Sequence, residues 1–412
     1  MSLIVQKFGG TSVGSTKRIR NVAAQAIAEF KAGNQVVVAV SAMSGETNRL
    51  VGLVEGISGS YSKREYDVVV SAGEQVSIGL LAIAIESLGY KARSYLGWQV
   101  RFLTDSVFSK ARIQEVEAFR IKRDLDAGYI VIVAGFQGID SDGNITTLGR
   151  GGSDTSAVAL AASLKADRCD IYTDVDGVYT TDPRIVPQAR KLDKISYDEM
   201  LEMASLGAKV LQTRSVELAK KYSVPLRVLS SMEAGEGTML TGEDETMENV
   251  MVSAVAFNRD EAKITLLGLP DHPGIAATIF GALSDANIVV DMIIQNISQS
   301  AETDLTFTVP KGDFDQAIQV LEATAKEIGV KDILGNRDIA KVSAIGVGMR
   351  SHSGVAQKMF KALASEGINI QMISTSEIKV SVIIDEKYTE LAVRALHQAF
   401  ELDKDFGDRV GG

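Results

Sequence analysis

Residues 271–293 and 351–373 align at an offset of 80 without a gap. His272, Gly274, Ala276, Phe280, Ala282, Leu283, Ile288, Met292 and Ile293 are matched by His352, Gly354, Ala356, Phe360, Ala362, Leu363, Ile368, Met372 and Ile373. That is nine identities in 23 positions, where unrelated segments of ordinary composition share roughly one or two. The last third of the chain must therefore fold as two copies of one unit. Each copy reads strand, glycine turn, amphipathic helix, strand, hairpin, strand, helix. In copy one these are Lys263–Leu267, Pro273-Gly274, Ile275–Ala286, Val289–Gln295, Asp304–Val309 and Phe314–Ile328. In copy two they are Ala340–Gly346, Ser353-Gly354, Val355–Glu366, Ile370–Ser374, Lys379–Ile384 and Tyr388–Phe400. Such a βαββαβ unit lacks one strand per copy, and Met251–Phe257 is placed to supply one to the second.

The first 240 or so residues follow another pattern. Leu3–Phe8 reads as a strand, and Ile19, Val22, Ala23, Ala26, Ile27 and Phe30 recur at helical spacing. Val36–Val40 is a continuous apolar run, the mark of a strand buried on both faces of a largely parallel sheet. Similar runs at Tyr66–Val70, Ile130–Ala134, Asp170–Thr173 and Leu226–Leu229 extend the pattern to an α/β sandwich. Gly235–Thr238 and the acidic stretch Gly242–Glu248 read as a linker. The expected divisions are 1–240, a linker and donated strand at 241–262, and the repeat copies at 263–338 and 339–412.

A net charge of −10 without a Lys/Arg cluster argues against nucleic acid as a partner. The single cysteine, Cys169, allows neither an intrachain disulfide nor a structural zinc site, which fits a reducing cytoplasm and an inert buried thiol. The N-terminus has no basic and apolar leader pattern. The apolar runs near Val36–Val40 and Tyr129–Phe136 are too short to span a bilayer, so no membrane partner is expected.

Three segments carry chemistry. Lys7-Phe8-Gly9-Gly10-Thr11-Ser12 sets a lysine at a strand end before a glycine turn and a helix, where backbone N–H groups attract phosphate oxygens. It is no Walker A loop, since Ser15 stands where that motif needs lysine. A bland tight turn accounts for the glycines, but a charge within a strand end needs a partner. The second segment, Thr147–Ser156, puts Arg150 between glycines ahead of an Ala-rich helix. Helix capping by Ser153 or Asp154 accounts for one polar residue there, while Arg150 suits bidentate capture of a carboxylate. The third, Thr173–Arg184, leaves a strand end as an acidic loop without EF-hand spacing, and a nucleotide-contacting loop competes with an ordinary turn.

Together these elements resemble the amino-acid kinase superfamily, and within it the aspartokinases, over essentially the whole chain. Lys7–Val13, Ser71-Ala72-Gly73-Glu74, Gly135-Phe136-Gln137-Gly138, Gly149–Asp154 and Thr173–Arg184 match that family's motifs in order. The repeat resembles a tandem pair of ACT domains. The resemblance implies an α/β fold: a carbamate-kinase-like αβα sandwich followed by two ferredoxin-like ACT domains. It implies phosphorylation of the L-aspartate side chain by ATP with Mg²⁺, a step toward lysine, threonine and methionine. The ionised carboxylate acceptor needs no general base, so positioning and charge neutralisation dominate.

By the same resemblance, Lys7, Asp154 and Lys209 are catalytic, with Asp154 orienting the two lysines. Phe8, Gly9, Gly10, Ser12, Thr173, Asp174, Tyr179, Asp182 and Arg184 join both lysines around ATP. Arg150 holds the α-carboxylate of aspartate and Glu74 its α-ammonium, with Ser41, Thr47, Gly151 and Ser153 beside them. An effector, lysine or threonine or both, is expected between the repeat copies and across two chains. Its contacts are Asp271, Gly274, Ile275, Ala276, Met292, Gln295 and Asn296 from copy one, and Asn369, Ile370, Ser376 and Glu377 from copy two. A homo-oligomer formed through the ACT pair is expected, and Met247 or Met251 could start a separate regulatory subunit. The competing readings are a kinase of another amino acid or of UMP, and an inactive amino-acid sensor.

Overall fold

A computed structural model describes residues 1–404 apart from 208–209, 245–246, 248–249 and 298–301. It divides into two units. The first comprises Met1–Val178, Lys191–Ser205 and Lys209–Asp244. The second comprises Tyr179–Arg190, Leu206–Ala208 and Glu245–Gly412.

The first unit runs β1 (Leu3–Phe8), α1 (Thr16–Lys31), β2 (Gln35–Val40), α2 (Glu46–Ile57), α3 (Lys63–Val70), α4 (Ala72–Ser87) and β3 (Ala92–Tyr95). After β4 (Phe102–Thr104) and β5 (Ile113–Val116) come α5 (Phe119–Asp126), β6 (Ile130–Ala134), β7 (Gln137–Ile139) and β8 (Ile145–Thr147). The unit ends with α6 (Gly152–Leu164), β9 (Arg168–Thr173), β10 (Lys194–Ser196), α7 (Tyr197–Ser205), α8 (Thr213–Tyr222), β11 (Leu226–Ser230) and β12 (Thr238–Thr241). Eight strands form the main sheet in the order β10-β12-β11-β9-β1-β2-β6-β3, and β5-β4-β7-β8 form a smaller one. The central pairings β9–β1–β2–β6 are parallel. Val36–Val40 are wholly buried, as expected of a strand covered on both faces. From β1 the chain continues to β2 on one side and returns as β9 on the other. The carboxyl ends of these strands therefore open at a topological switch point, where such sheets bind ligands.

The run Tyr66–Val70, expected as a strand, is instead the end of helix α3. Its apolar residues are too few for periodicity to separate helix from strand. The stretch Lys63–Ser87 is also longer and more apolar than the runs picked out above, matching a membrane span by length and composition alone. Its apolar character has a local cause: Ile78, Leu81 and Ile85 pack against Ile19, Val22, Ala23 and Ile27 of α1. Cys169 is fully buried, and burial pushes its thiol pKa up, as suits an inert thiol.

The second unit holds the repeat. Its elements are β13 (Ala254–Pro270), α9 (Ile275–Asp285), β14 (Ile293–Ile297), β15 (Glu302–Val309) and α10 (Phe314–Ile328), then β16 (Asp332–Ile345), α11 (Val355–Ser365), β17 (Met372–Thr375), β18 (Lys379–Asp385) and α12 (Thr389–Ala399). All six strands form one antiparallel sheet, β14-β15-β13-β16-β18-β17. Two long strands supply what each copy lacks. Ala254–Asn258 pair with Lys341–Ile345 of copy two, and Asp332–Asn336 pair with Lys263–Leu267 of copy one. Thus β13 serves the second copy before the first, and β16 does the reverse. The strands expected from Val289 and Ile370 begin later, at Ile293 and Met372. Asp291 and Met292 meet Thr308 through only a few bonds, short of a full ladder.

Candidate active site

The loop after β1 does not run directly into a helix. Ser12 and Val13 donate backbone hydrogen bonds to the Gly9 carbonyl, a tight turn that delays α1 until Thr16, with Ser15 as its N-cap. A Cβ at Gly10 would lie 2.9 Å from the Ala42 carbonyl oxygen, so glycine is what lets this turn close on the end of β2. Lys7, the penultimate residue of β1, reaches Asp154 with its Nζ 2.5 Å from Oδ1, both side chains about nine-tenths buried. The Ser12 hydroxyl is buried with no protein partner.

Helix α6 begins at Gly152. Its N-cap is Gly151, at φ +72°, and no side chain caps it. Capping therefore does not explain Ser153 or Asp154; Asp154 is instead turned to Lys7. Thr155 and Ser156 donate their hydroxyls to the Gly151 and Gly152 carbonyls, and Ser156 also accepts the Phe136 N–H. A helix N-terminus with its partial positive charge thus faces the same space as Lys7.

Glu74 lies in the first turn of α4, which approaches the end of β2 so closely that a Cβ at Gly73 would sit 2.7 Å from the Ala42 side chain. Its Oε1 accepts the Ala42 N–H at 2.9 Å, while Oε2 is buried without a partner. Burial pushes its pKa up to about 7, against the opposing pull of the Ala42 N–H and its own.

These groups share one cavity of about 230 Å³, lined by Lys7, Ser41, Thr47, Glu74, Phe136, Gly149, Arg150, Gly151, Gly152, Ser153 and Asp154. The structure brings together every residue expected to hold aspartate, with Lys7 and Asp154 beside them. Phe136, Gly149 and Gly152 line it too, though sequence reasoning assigned them no role. Phe136 holds a left-handed backbone at φ +68°, rare for a bulky residue and legible only as the Gly-Phe-Gln-Gly motif at a strand end.

The remaining nucleotide residues are distributed differently. Phe8 is fully buried and stacks on Tyr172 with ring centroids 4.4 Å apart, leaving only its backbone for a ligand. Gly9 is partly exposed beside Lys7 Nζ, which would lie 3.4 Å from a Cβ there. Thr173 and Asp174 continue β9 at its carboxyl end, beside β1. Tyr179, Asp182 and Arg184 belong to the second unit, where Arg184 is bound to Asp182 at 2.7 Å. Lys209 lies outside the described residues. Among the described residues, no group of three or more His, Cys, Asp or Glu is arranged to hold a metal.

In the repeat, Gly274 is the N-cap of α9 at φ +99° without a side-chain cap, so Asp271 does not cap the helix. Asp271, Gln295, Asn296, Asn369, Ser376 and Glu377 are exposed, Ile275 is buried, and Ala276 and Ile370 are partly so. Met292 packs with Ile339, Met372 and Ile383 where the two copies join.

Comparisons with known proteins add the following. A model described as the amino acid kinase family matches residues 2–230, and one described as the ACT domain matches 264–324 and 342–400. An aspartate kinase of Pseudomonas fluorescens is 63% identical over 406 residues, covering 98% of each chain. Escherichia coli aspartokinase III in complex with aspartate and ADP, an R-state, superposes with a TM-score of 0.79 at 28% identity over 96% of this chain and 99% of that one. The same enzyme with lysine and aspartate, a T-state, gives 0.77 at 29% identity over 97% and 99%.

Proposed function

The chain belongs to the amino acid kinase family, as an aspartate kinase with ACT domains, and from that premise we propose how its residues divide the work. It transfers the terminal phosphoryl group of ATP to the side-chain carboxylate of L-aspartate, giving 4-phospho-L-aspartate and ADP, and amino-acid end products regulate it through the ACT domains. One observation carries the division of roles: a single cavity holds a cation for phosphate, a cation for carboxylate and an unpartnered buried carboxylate.

Arg150 takes the α-carboxylate and Glu74 Oε2 the α-ammonium, which turns the side-chain carboxylate toward Lys7. Ser41, Thr47 and Ser153 complete the polar wall. The acceptor is ionised at neutral pH, so the chain supplies no base. Lys7, oriented by Asp154, neutralises charge on the phosphoryl group in flight. Ser12 and the N–H groups of Gly9, Gly10 and the α6 N-terminus add donors for phosphate oxygens. Lys209 is the second cation in this reading, and Thr173, Asp174, Tyr179, Asp182 and Arg184 are its nucleotide contacts. Mg²⁺ would enter with ATP, held chiefly by phosphate oxygens and water.

The proposed effector contacts come from both copies, most of them exposed, and β14 and β17 are the two edges of the six-stranded sheet. Unpaired strand edges invite pairing with another copy. This supports a homo-oligomer built through the ACT sheets, with lysine or threonine bound where copies from two chains meet. We place the enzyme in the cytoplasm. Expression from the native gene shows whether Met247 or Met251 also starts a regulatory chain; a full-length product alone excludes it. Aspartate-dependent ADP release, measured against glutamate, acetylglutamate and UMP as acceptors, tests the assignment. Release with another acceptor and not with aspartate would overturn it, and no release with any would favour a sensor.

A further inference from the structure

Arg150 sits between Gly149 at φ +75° and Gly151 at φ +72°. An arginine on such a hinge would lose much freedom on meeting a carboxylate, unless the loop were already held. Two charged residues from distant parts of the chain hold it. Asp67, fully buried on α3, accepts the Thr147 N–H at 2.9 Å, the Thr147 hydroxyl at 2.6 Å and the Ser109 N–H at 2.9 Å. Arg214, half-buried on α8, donates to the Leu148 carbonyl at 2.7 Å and the Ala111 carbonyl at 3.0 Å. Ala111 closes the ring by donating its N–H to the Thr147 carbonyl at 2.9 Å.

The same groups wedge the loop from both sides. A Cβ at Gly149 would lie 3.0 Å from the Ser109 carbonyl, and one at Gly151 would meet the Gln212 side chain at 2.0 Å. Gln212 is the N-cap of α8, the helix that carries Arg214. Neither Asp67 nor Arg214 lines the cavity. Asp67 is a buried carboxylate satisfied by neutral donors, and Arg214 gives its guanidinium to backbone carbonyls. Burying charge in this way is costly compared with apolar packing. What it secures is direction: three of the hydrogen bonds fix atoms of Thr147 and Leu148, which lead into Arg150, and the others tie that segment to Ser109 and Ala111.

We propose that Asp67 and Arg214 are positioning residues for aspartate, holding residues 147–151 so that Arg150 is set for the α-carboxylate before substrate arrives. The proposal rests on the reading of Arg150 as that carboxylate's partner. Asp67→Asn replaces an acceptor oxygen with a donor group facing N–H and O–H donors, and Arg214→Met removes both guanidinium bonds. Each should raise the KM for aspartate about tenfold or more, with the KM for ATP within about twofold and kcat less affected.

The test measures both KM values, kcat and thermal midpoints for the full-length enzyme. It covers Asp67→Asn, Arg214→Met, the milder Thr147→Val with its hydroxyl-retaining control Thr147→Ser, and Arg150→Ala alone and combined with Asp67→Asn. Thr147→Val supplies a reading should Asp67→Asn fail to fold. Acting through Arg150 predicts that the double variant matches Arg150→Ala and that Thr147→Ser restores what Thr147→Val loses. Lower midpoints with an unchanged aspartate KM, or effects that add to that of Arg150→Ala, would overturn the proposal. Should Arg150→Ala itself leave aspartate KM unchanged, the reading of Arg150 falls, and the positioning role with it.

Discussion

Lys7 and Glu74 are two buried ionisable residues of one cavity, to which we assign opposite ends of the reaction. Lys7 meets Asp154 at 2.5 Å, a pairing that fixes where the Lys7 side chain points. Lys7→Ala should lower kcat by about 10²–10³, the loss expected of a preorganised donor. Aspartate KM should change far less, which steady-state kinetics would show; turnover within threefold of wild type would remove Lys7 from the phosphate. Glu74 gives a pH test. With its pKa near 7 in the unliganded protein, kcat/KM for aspartate should fall about tenfold per pH unit below 7 and level off above it. Stability moves the other way. The folded pKa lies above the ordinary 4.5, so between those values the native state holds a proton that the unfolded chain has lost. Stability then declines as pH rises from 4.5 to 7, by roughly 3 kcal/mol. Glu74→Gln keeps the bond from Ala42 and removes the buried charge. It should melt higher than wild type at pH 8 while binding aspartate more weakly, as calorimetry would report. Equal midpoints at pH 8 would mean that Glu74 is not strained by burial.

Among the elements, the long strands β13 and β16 carry the C-terminal unit, and their meeting point is polar. Glu261 and Lys341, which correspond to each other at the repeat offset, pair at 2.7 Å with under a tenth of either side chain exposed. Lys341 also contacts Asp291. Burial pulls the Lys341 pKa down, but Glu261 and Asp291 outweigh it and the net shift is upward. Lys341→Met strands Glu261 in the sheet and should destabilise this unit by about 3–5 kcal/mol, whereas Lys341→Met with Glu261→Leu should recover most of the loss. Hydrogen exchange in β13 and β16 would read both; equal protection in the single variant and wild type would count against it. The repeat made this unit legible in the sequence, and of the stretch Met251–Phe257 expected to serve copy two, Ala254–Phe257 pair with it as the start of β13. What the residues did not reveal was that one continuous sheet joins the copies, because strand pairing between repeats leaves no periodic signal. Most residues that line the cavity were legible through family motifs, since glycines and charges cluster locally in them. Asp67 and Arg214 were not, as each is one of several charges on an ordinary amphipathic helix and meets its loop only through the tertiary fold. Tyr66–Val70 failed as a strand for the reason that its five residues fit either period.

At the scale of the whole molecule, the chain passes between its two units more than once. Tyr179–Arg190 belongs with the repeat, where Val255 donates to the Thr180 carbonyl at 2.8 Å, Thr180 meets His397 at 2.9 Å and Arg394 reaches the Ile185 carbonyl. Its two ends continue into Val178 and Lys191 of the first unit, a few residues from Asp174. A rearrangement of the repeat is thus tied covalently to the loop that we assign to nucleotide. An effector can use this link only by binding the inactive arrangement more tightly than the active one. Asp271 is the residue on which that preference can be tested. It stands beside the Gly274 N-cap in copy one, where copy two has Ser351, and it caps nothing. In the effector site we propose, its exposed carboxylate would take the effector's ammonium, and the N–H groups of Ile275 and Ala276 at the helix N-terminus would take its carboxylate. Losing one charge-assisted bond of this kind should raise the effector concentration for half inhibition about tenfold or more in Asp271→Ala. The measurement titrates lysine and threonine, singly and together, against wild type and variant, each curve scaled to its own uninhibited rate. Copy two supplies the control, since Ser351→Ala removes no charge and should shift the curve much less. Superimposable curves for Asp271→Ala and wild type, with an effector that inhibits the wild type, would take Asp271 out of the effector site.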